Sequence, residues 1–343
     1  MADIASAVMQ DPERNIGQLR QLAKISEGSD GVERPKVRKL ALLTQLAVYK
    51  DIIPDYRIRE LTATEKAVKV SKEVKAQRRF EESLVHLYKG YVTQLHRFVV
   101  KAAREFKQTP QDKDKLSWAH LGEVAVQCIG ELLVAHPHFN FRNELIADVV
   151  YAYVQPPFRV QHPNYTRIAM LGRKYIEQLF QIDVSGEYAK EAAECASKRI
   201  KRFGGGFAID PSCLRPWLKL RLRSELDANP EDRRREEREA ELRHREYERR
   251  KIMRKKKGST AALLEAKRGA KLSKKQKKIA KEQKAVERDL MQAEAEVRLE
   301  ERTKWHEKTL SAVFVTYFRI LKQYVAVRSK CEQLLPAVLE GLA

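Results

Sequence analysis

The sequence predicts an all-α protein: HEAT/armadillo-like helical repeats with long helices and a charged, partly disordered connector. Three observations carry that prediction. Glycine (14) and proline (12) are scarce in 343 residues, which suits long helices better than sheets. Apolar residues recur at three- and four-residue steps through most of residues 34–226 and again from 309. Proline and glycine fall between these periodic runs rather than inside them. There is no strict sequence period, so stacking is inferred from the succession of apolar-faced helices with short breaks.

Taken in order, residues 1–33 read as a flexible N-terminal segment with a short helix over Ile16–Ile25, punctuated by Glu27–Gly31. Residues 34–226 read as one helical domain. Its first helix spans Pro35–Ile53, with Leu40, Leu43 and Ala47 on one face and Leu42, Leu46 and Tyr49 beside it, and Pro54 stops it. The next starts at Thr62, where Thr62-x-x-Glu65 is a capping-box candidate, and runs to Phe106. Leu84, Leu87, Tyr91, Leu95 and Phe98 form its apolar stripe, and Lys and Arg fill the solvated side. Segments 116–135, 141–154, 164–181 and 186–202 follow, punctuated by Pro137, Pro156, Pro157 and Pro163. Gly204-Gly205-Gly206 reads as a flexible break, and 211–226 as a short amphipathic helix.

Residues 227–308 read as a basic charged connector or long helix. Glu231→Arg235, Glu239→Arg243, Glu241→Arg245 and Glu246→Arg250 are i,i+4 pairs in the orientation that supports an exposed helix. From Arg249 to Lys284 the acids nearly vanish: 16 Lys/Arg stand against 2 Asp/Glu, a net of +14. Residues 309–343 read as the start of a C-terminal helical-repeat domain. Leu310, Phe314, Tyr317 and Leu321 step along one seam, which is the expected partner-binding face. The closing apolar run Leu334–Leu339 has no polar cap, so the sequence is expected to continue beyond Ala343 or to be completed by a partner.

The chain carries a formal net charge of +21, which points to a polyanionic partner whose counterions are released on binding. Cys128, Cys195, Cys213 and Cys331 are scattered, with no CxxC spacing, as expected of buried thiols in a reducing compartment. No apolar run approaches a membrane span of about 20 residues. Met1–Gln10 lacks the pattern of a signal peptide, so an intracellular, soluble protein is expected.

A search for chemistry returns no catalytic residues. The glycine triplet precedes no GK[ST] and is not a phosphate loop. His136-x-His138, with His120 sixteen residues earlier, has neither a nearby cysteine nor an HExxH context. A histidine at a helix C-terminus explains it as well, so no metal and no cofactor are expected. Glu236-Glu237 lie on the charged segment, where they serve solvation. No nucleophile elbow or triad signature is present. Phe314, Tyr317, Phe318 and Tyr324 fit a packed core better than a base-stacking surface. The basic stretch is the informative feature: Arg249, Arg250, Lys251, Arg254, Lys255, Lys256 and Lys257, then Lys267, Arg268, Lys271, Lys274, Lys275, Lys277, Lys278 and Lys281. Such clusters suit nuclear import and sequence-independent phosphate contact.

Several long motifs resemble the nucleolar complex protein 3 family. They are Lys39–Arg59, Thr64–Val74, Pro137–Asn143, Leu272–Gln276, Val313–Lys322 and Leu334–Ala343, in the family's order. The resemblance covers residues 34–343. Two departures accompany it: the family's charged N-terminal extension is absent, and the sequence stops where the family continues into a CCAAT-binding-factor-type domain. The resemblance implies a non-enzymatic nucleolar scaffold in large (60S) ribosomal subunit assembly and pre-rRNA processing. The implied partners are a nucleolar complex protein 2-like protein, the pre-ribosomal particle and rRNA, with no membrane and no small-molecule substrate. A chromatin-bound adaptor in replication initiation is the alternative that it leaves open.

Overall fold

In the computed structural model of the chain, the described residues are 1–28, 35–62, 64–65, 68–105, 113–161, 163–206, 208–221, 301–325 and 332–342. Among them every regular element is helical. The chain forms two compact units, residues 1–220 with 305–343, and residues 221–304. The helices of the first unit are α1 (Ala2–Gln10), α2 (Leu19–Glu27), α3 (Pro35–Ile52), α4 (Lys72–Glu105), α5 (Lys113–Ala135), α6 (Arg142–Tyr153), α7 (Pro163–Ile182) and α8 (Glu187–Lys201). Residues 301–325 form α9, which belongs to this unit from Trp305 on, and α10 (Leu335–Leu342) completes it.

The helices stack in chain order. α2 packs on α3, α3 and α4 on α5, α5 on α6 and α7, and α6 on α8. Because α5 touches four neighbours, it is apolar on nearly every side: Leu121, Ala125, Val126, Cys128, Ile129, Leu132 and Leu133 are all fully buried. Its two glycines mark the closest approaches. A Cβ at Gly122 would sit 2.3 Å from the Cβ of Ala102 on α4, and one at Gly130 would sit 2.0 Å from the ring of Tyr175 on α7. Each glycine costs a helix interior about 1 kcal/mol relative to alanine, and the axes come closer in return.

Four expectations are corrected. The N-terminal segment is not a flexible lead-in. Val8, Leu19 and Leu22 are buried, and α1 and α2 dock on α3. A buried polar cluster fixes them: Gln45 Nε2 donates to Ser26 Oγ at 3.1 Å, and Arg38 Nε donates to the Ser26 carbonyl at 3.0 Å. Each of these helices has only nine residues, too few for an apolar period to stand out.

The long second helix starts at Lys72, not Thr62. The capping box does form, with Glu65 N bonded to Thr62 Oγ1 at 3.3 Å and Thr62 N to Glu65 Oε2 at 2.9 Å. It does not begin α4, whose first turn is capped by Ser71 Oγ, accepting from Val74 N at 3.3 Å. β-Branched Val68 and Val70 lie between the two caps and favour extended backbone.

Within 211–226, the described residues form two 3₁₀ turns, Pro211–Cys213 and Arg215–Lys219, rather than an amphipathic α-helix. Pro211 and Pro216 are tolerated only in a first turn, so each one restarts the local structure. Finally, the C-terminal segment does not stand apart. From Trp305 on it belongs to the same unit as α8, and Ser197 on α8 shares a 2.7 Å hydrogen bond with Thr316.

Candidate functional site

The fifteen basic residues between Arg249 and Lys281 lie outside the described residues. On the described body, cationic side chains gather at the start of α4. Lys69, Lys75, Arg78 and Arg79, with one carboxylate, Glu82, line a groove together with Leu61, Val68 and Val70. Arg78 is held there by donating to the Glu65 carbonyl at 3.0 Å.

The apolar seam on α9 is rotated from its expected position. Thr309, Val313, Thr316, Tyr317 and Ile320 form the buried stripe, while Leu310 and Leu321 are half-buried. Tyr317 is therefore not available to a partner: its ring lies 5.5 Å from that of Trp217 and it is 1% exposed. Thr309 and Thr316 are buried at little cost because their hydroxyls bond to the carbonyls of Trp305 and Ala312, each at 2.9 Å. Residues 312–321 are apolar around most of the helix, so periodicity alone could not choose the inward face. Phe314 (38%), Val315 (48%) and Phe318 (59%) consequently form an exposed apolar strip.

The described residues show no constellation suited to catalysis. A shallow groove between α8 and α9 is lined by Glu194, Ser197, Lys198, Lys308, Ser311, Ala312 and Val315, with no histidine or cysteine among them. Burial pushes the thiols of Cys128 and Cys213 up to about 12 and raises that of Cys195, so all three are poor nucleophiles. The glycine triplet is a packed corner rather than a flexible break. Gly205 (φ 78°) lies under Gln323, and a Cβ there would come within 2.4 Å of its Nε2.

Among the described residues, a dense cluster of polar contacts forms at the turn between α5 and α6, residues 136–142. It binds back to the last turn of α3 and the loop after it at alternate positions. His136 Nε2 lies 3.2 Å from the Lys50 carbonyl and His138 Nε2 lies 3.2 Å from the Pro54 carbonyl. Asn140 clasps the Ile58 backbone from both sides, accepting from its N–H at 3.0 Å and donating to its carbonyl at 2.8 Å. Phe139, between them, is 2% exposed and meets the Tyr88 ring edge-on at 5.3 Å. Phe141 holds a left-handed conformation (φ 65°), the only non-glycine residue to do so among the described residues, and packs near Tyr88. Arg142 then grips α8. Its Nε and Nη2 reach both oxygens of Glu191 at 2.7 and 2.8 Å, and Nη2 also reaches Glu187 at 2.8 Å. Its guanidinium lies 4.7 Å from the Tyr188 ring centroid. One short turn thus ties together α3, α5, α6 and α8.

The same turn holds potential metal ligands. One ligand atom each from Asp55, His136 and His138 lies within 4.8 Å of the other two. A carbonyl only accepts, so the bonds to Lys50 and Pro54 put the proton of each ring on Nε2 and leave the lone pair on Nδ1. Nδ1 of His136 is buried and has no hydrogen-bond partner. Burial lowers the His136 pKa, although its bond to the Lys50 carbonyl opposes the shift. His120 is not part of this group; its Nδ1 lies 3.7 Å from Glu123. Sequence reading weighed the two histidines without Asp55, which stands 81 positions before His136 and joins them only in the fold.

Comparison with known proteins adds the following. A family model described as NOC3p, nucleolar complex-associated protein, matches residues 1–91. The human nucleolar complex protein 3 homolog is 34% identical over 348 aligned residues, covering 100% of this chain and 38% of the relative. Nucleolar complex-associated protein 3 of Saccharomyces cerevisiae is 32% identical over 220 residues, 64% of this chain and 30% of its own length. The protein of the same name from Arabidopsis thaliana is 37% identical over 150 residues, 44% of this chain and 16% of its own. The chain spans about two fifths of the length of the vertebrate relatives it matches, 38% in the human case.

Proposed function

Because the chain belongs to the nucleolar complex protein 3 family, we propose that it is a non-enzymatic helical scaffold of large ribosomal subunit assembly, working in the nucleolus. In this reading, helical faces bind protein partners and a Lys/Arg stretch binds RNA phosphates. The likeness over the full chain to the human nucleolar complex protein 3 homolog is the observation that carries it. The names of the relatives support nucleolar placement, and no described helix is long and apolar enough to cross a membrane.

Two features of the chain support the division of labour. The exposed strip Phe314, Val315 and Phe318 offers apolar area to a protein partner, such as one resembling nucleolar complex protein 2. Residues 249–284 offer a net charge of +14 to pre-ribosomal RNA, through contacts that carry no base code. The cationic groove at Lys69, Lys75 and Arg79 adds a second phosphate-binding surface on the folded body.

Sedimentation of nuclear extract containing the tagged chain tests the proposal. Co-migration with pre-60S particles is expected, together with its loss in a Phe314→Ser, Phe318→Ser variant. Retention on chromatin through high salt, with no particle-bound fraction, would replace this reading with that of a replication adaptor.

A further inference from the structure

We propose that Asp55, His136 and His138 form a binding site for one divalent transition-metal ion of the zinc class, which clamps the loop after α3 to the turn between α5 and α6. Imidazole nitrogens with a single carboxylate oxygen are a donor set that suits zinc. Three protein ligands also leave a fourth tetrahedral position for water or for a ligand from a partner.

Three observations on the chain argue for it. The ligand atoms already lie within 4.8 Å of one another. A zinc ion with bonds of about 2.0–2.1 Å sets its ligands about 3.3 Å apart, so the closing movement is about 1.5 Å at most. Asp55 is exposed on a loop, where a change of side-chain rotamer brings its carboxylate toward the two imidazoles. Secondly, Nε2 of each imidazole meets a backbone carbonyl, at Lys50 and at Pro54, which leaves Nδ1 as the nitrogen open to a metal, an arrangement common to metal-bound histidines. Thirdly, Nδ1 of His136 is buried without a partner, a lone pair that the protein alone leaves unsatisfied. The nearby ammonium of Lys50 is paired with Glu131 at 2.8 Å, which offsets part of its repulsion of a cation. The backbone around the site is anchored independently by the Asn140 clasp on Ile58, so the ligands are placed before any ion arrives.

The test uses the full chain without a polyhistidine tag. It is stripped with chelator, dialysed against micromolar Zn²⁺, and its zinc content is measured by mass spectrometry alongside its thermal midpoint. The expected result is a saturable site that raises the midpoint. Asp55→Ala, at an exposed position, should bind Zn²⁺ at least about tenfold more weakly and show no midpoint shift, with its helical circular dichroism unchanged. His138→Ala should lose the same site. Zinc uptake and midpoint shift that are unaffected in Asp55→Ala, or no zinc retained by the unmodified chain, would overturn the proposal.

Discussion

Replacing Arg142 tests whether the turn between α5 and α6 is a structural hub. The guanidinium makes a two-pronged pair with Glu191, a further contact with Glu187 and a stack on Tyr188, and its side chain is only 15% exposed. A fully exposed pair contributes about 0.2–1 kcal/mol, whereas breaking a buried pair costs about 3–5 kcal/mol. Arg142 lies between these limits and nearer the buried one, since Glu191 is 20% and Glu187 34% exposed. Burial disfavours its charge, and the two glutamates more than restore it, raising its pKa overall. In Arg142→Ala, Glu187 and Glu191 are left one helical turn apart without the cation between them. The expected loss is about 2–3 kcal/mol of unfolding free energy, which corresponds to a fall in the melting midpoint of about 4–6 °C for a unit of this size. Urea unfolding monitored by circular dichroism measures the loss. A double-mutant cycle with Glu191→Gln should return a coupling of about 1–2 kcal/mol. A loss below about 0.5 kcal/mol, with no coupling, would show that the pair is solvated and that the turn does not hold α8.

Two glycines should respond to alanine with opposite sign. Gly90→Ala, on α4 with nothing within 4 Å of the added carbon, should stabilise the chain by about 0.5–1 kcal/mol. Gly130→Ala drives that carbon into the base of the Tyr175 ring and should destabilise by about 1–2 kcal/mol net, as unfolding curves would show. Alkylation at pH 8 followed by peptide mass spectrometry should find Cys128 and Cys213 at least about a hundredfold slower than in urea, because burial raises both thiols to about 12 and leaves little thiolate. Neutralising Lys274, Lys275, Lys277 and Lys278 together should weaken RNA binding and flatten its logarithmic salt dependence by about 0.7 for each phosphate no longer neutralised, measured by filter binding across a salt series.

The helices of the body were legible where proline punctuates a clear apolar period. The boundaries of α3 and of α5 to α7 fall within a few residues of where Pro54, Pro137, Pro156 and Pro163 place them, and those of α8 within a residue of where Gly186 and the glycine triplet do. Of the N-terminal helices, α2 was legible as the short helix expected over Ile16–Ile25, whereas α1 and the docking of both on α3 were not, because burial of Val8 and Leu22 depends on tertiary packing rather than on a period of their own. The inward face of α9 was missed by about one position, since apolar residues surround that helix and the choice is made by Ser197 and Trp217 across the interface. The hub at 136–142 was visible as a motif but not as a mechanism. Its partners Lys50, Asp55, Ile58 and Glu191 are 49 to 86 positions away along the chain.

Ultraviolet cross-linking in living cells, with the attached peptides mapped, addresses the scaffold account most directly. Pre-ribosomal RNA should be recovered on peptides from residues 249–284, and the α5–α6 turn should carry none. Recovery of RNA solely from elsewhere in the chain, or of no RNA at all, would contradict the account.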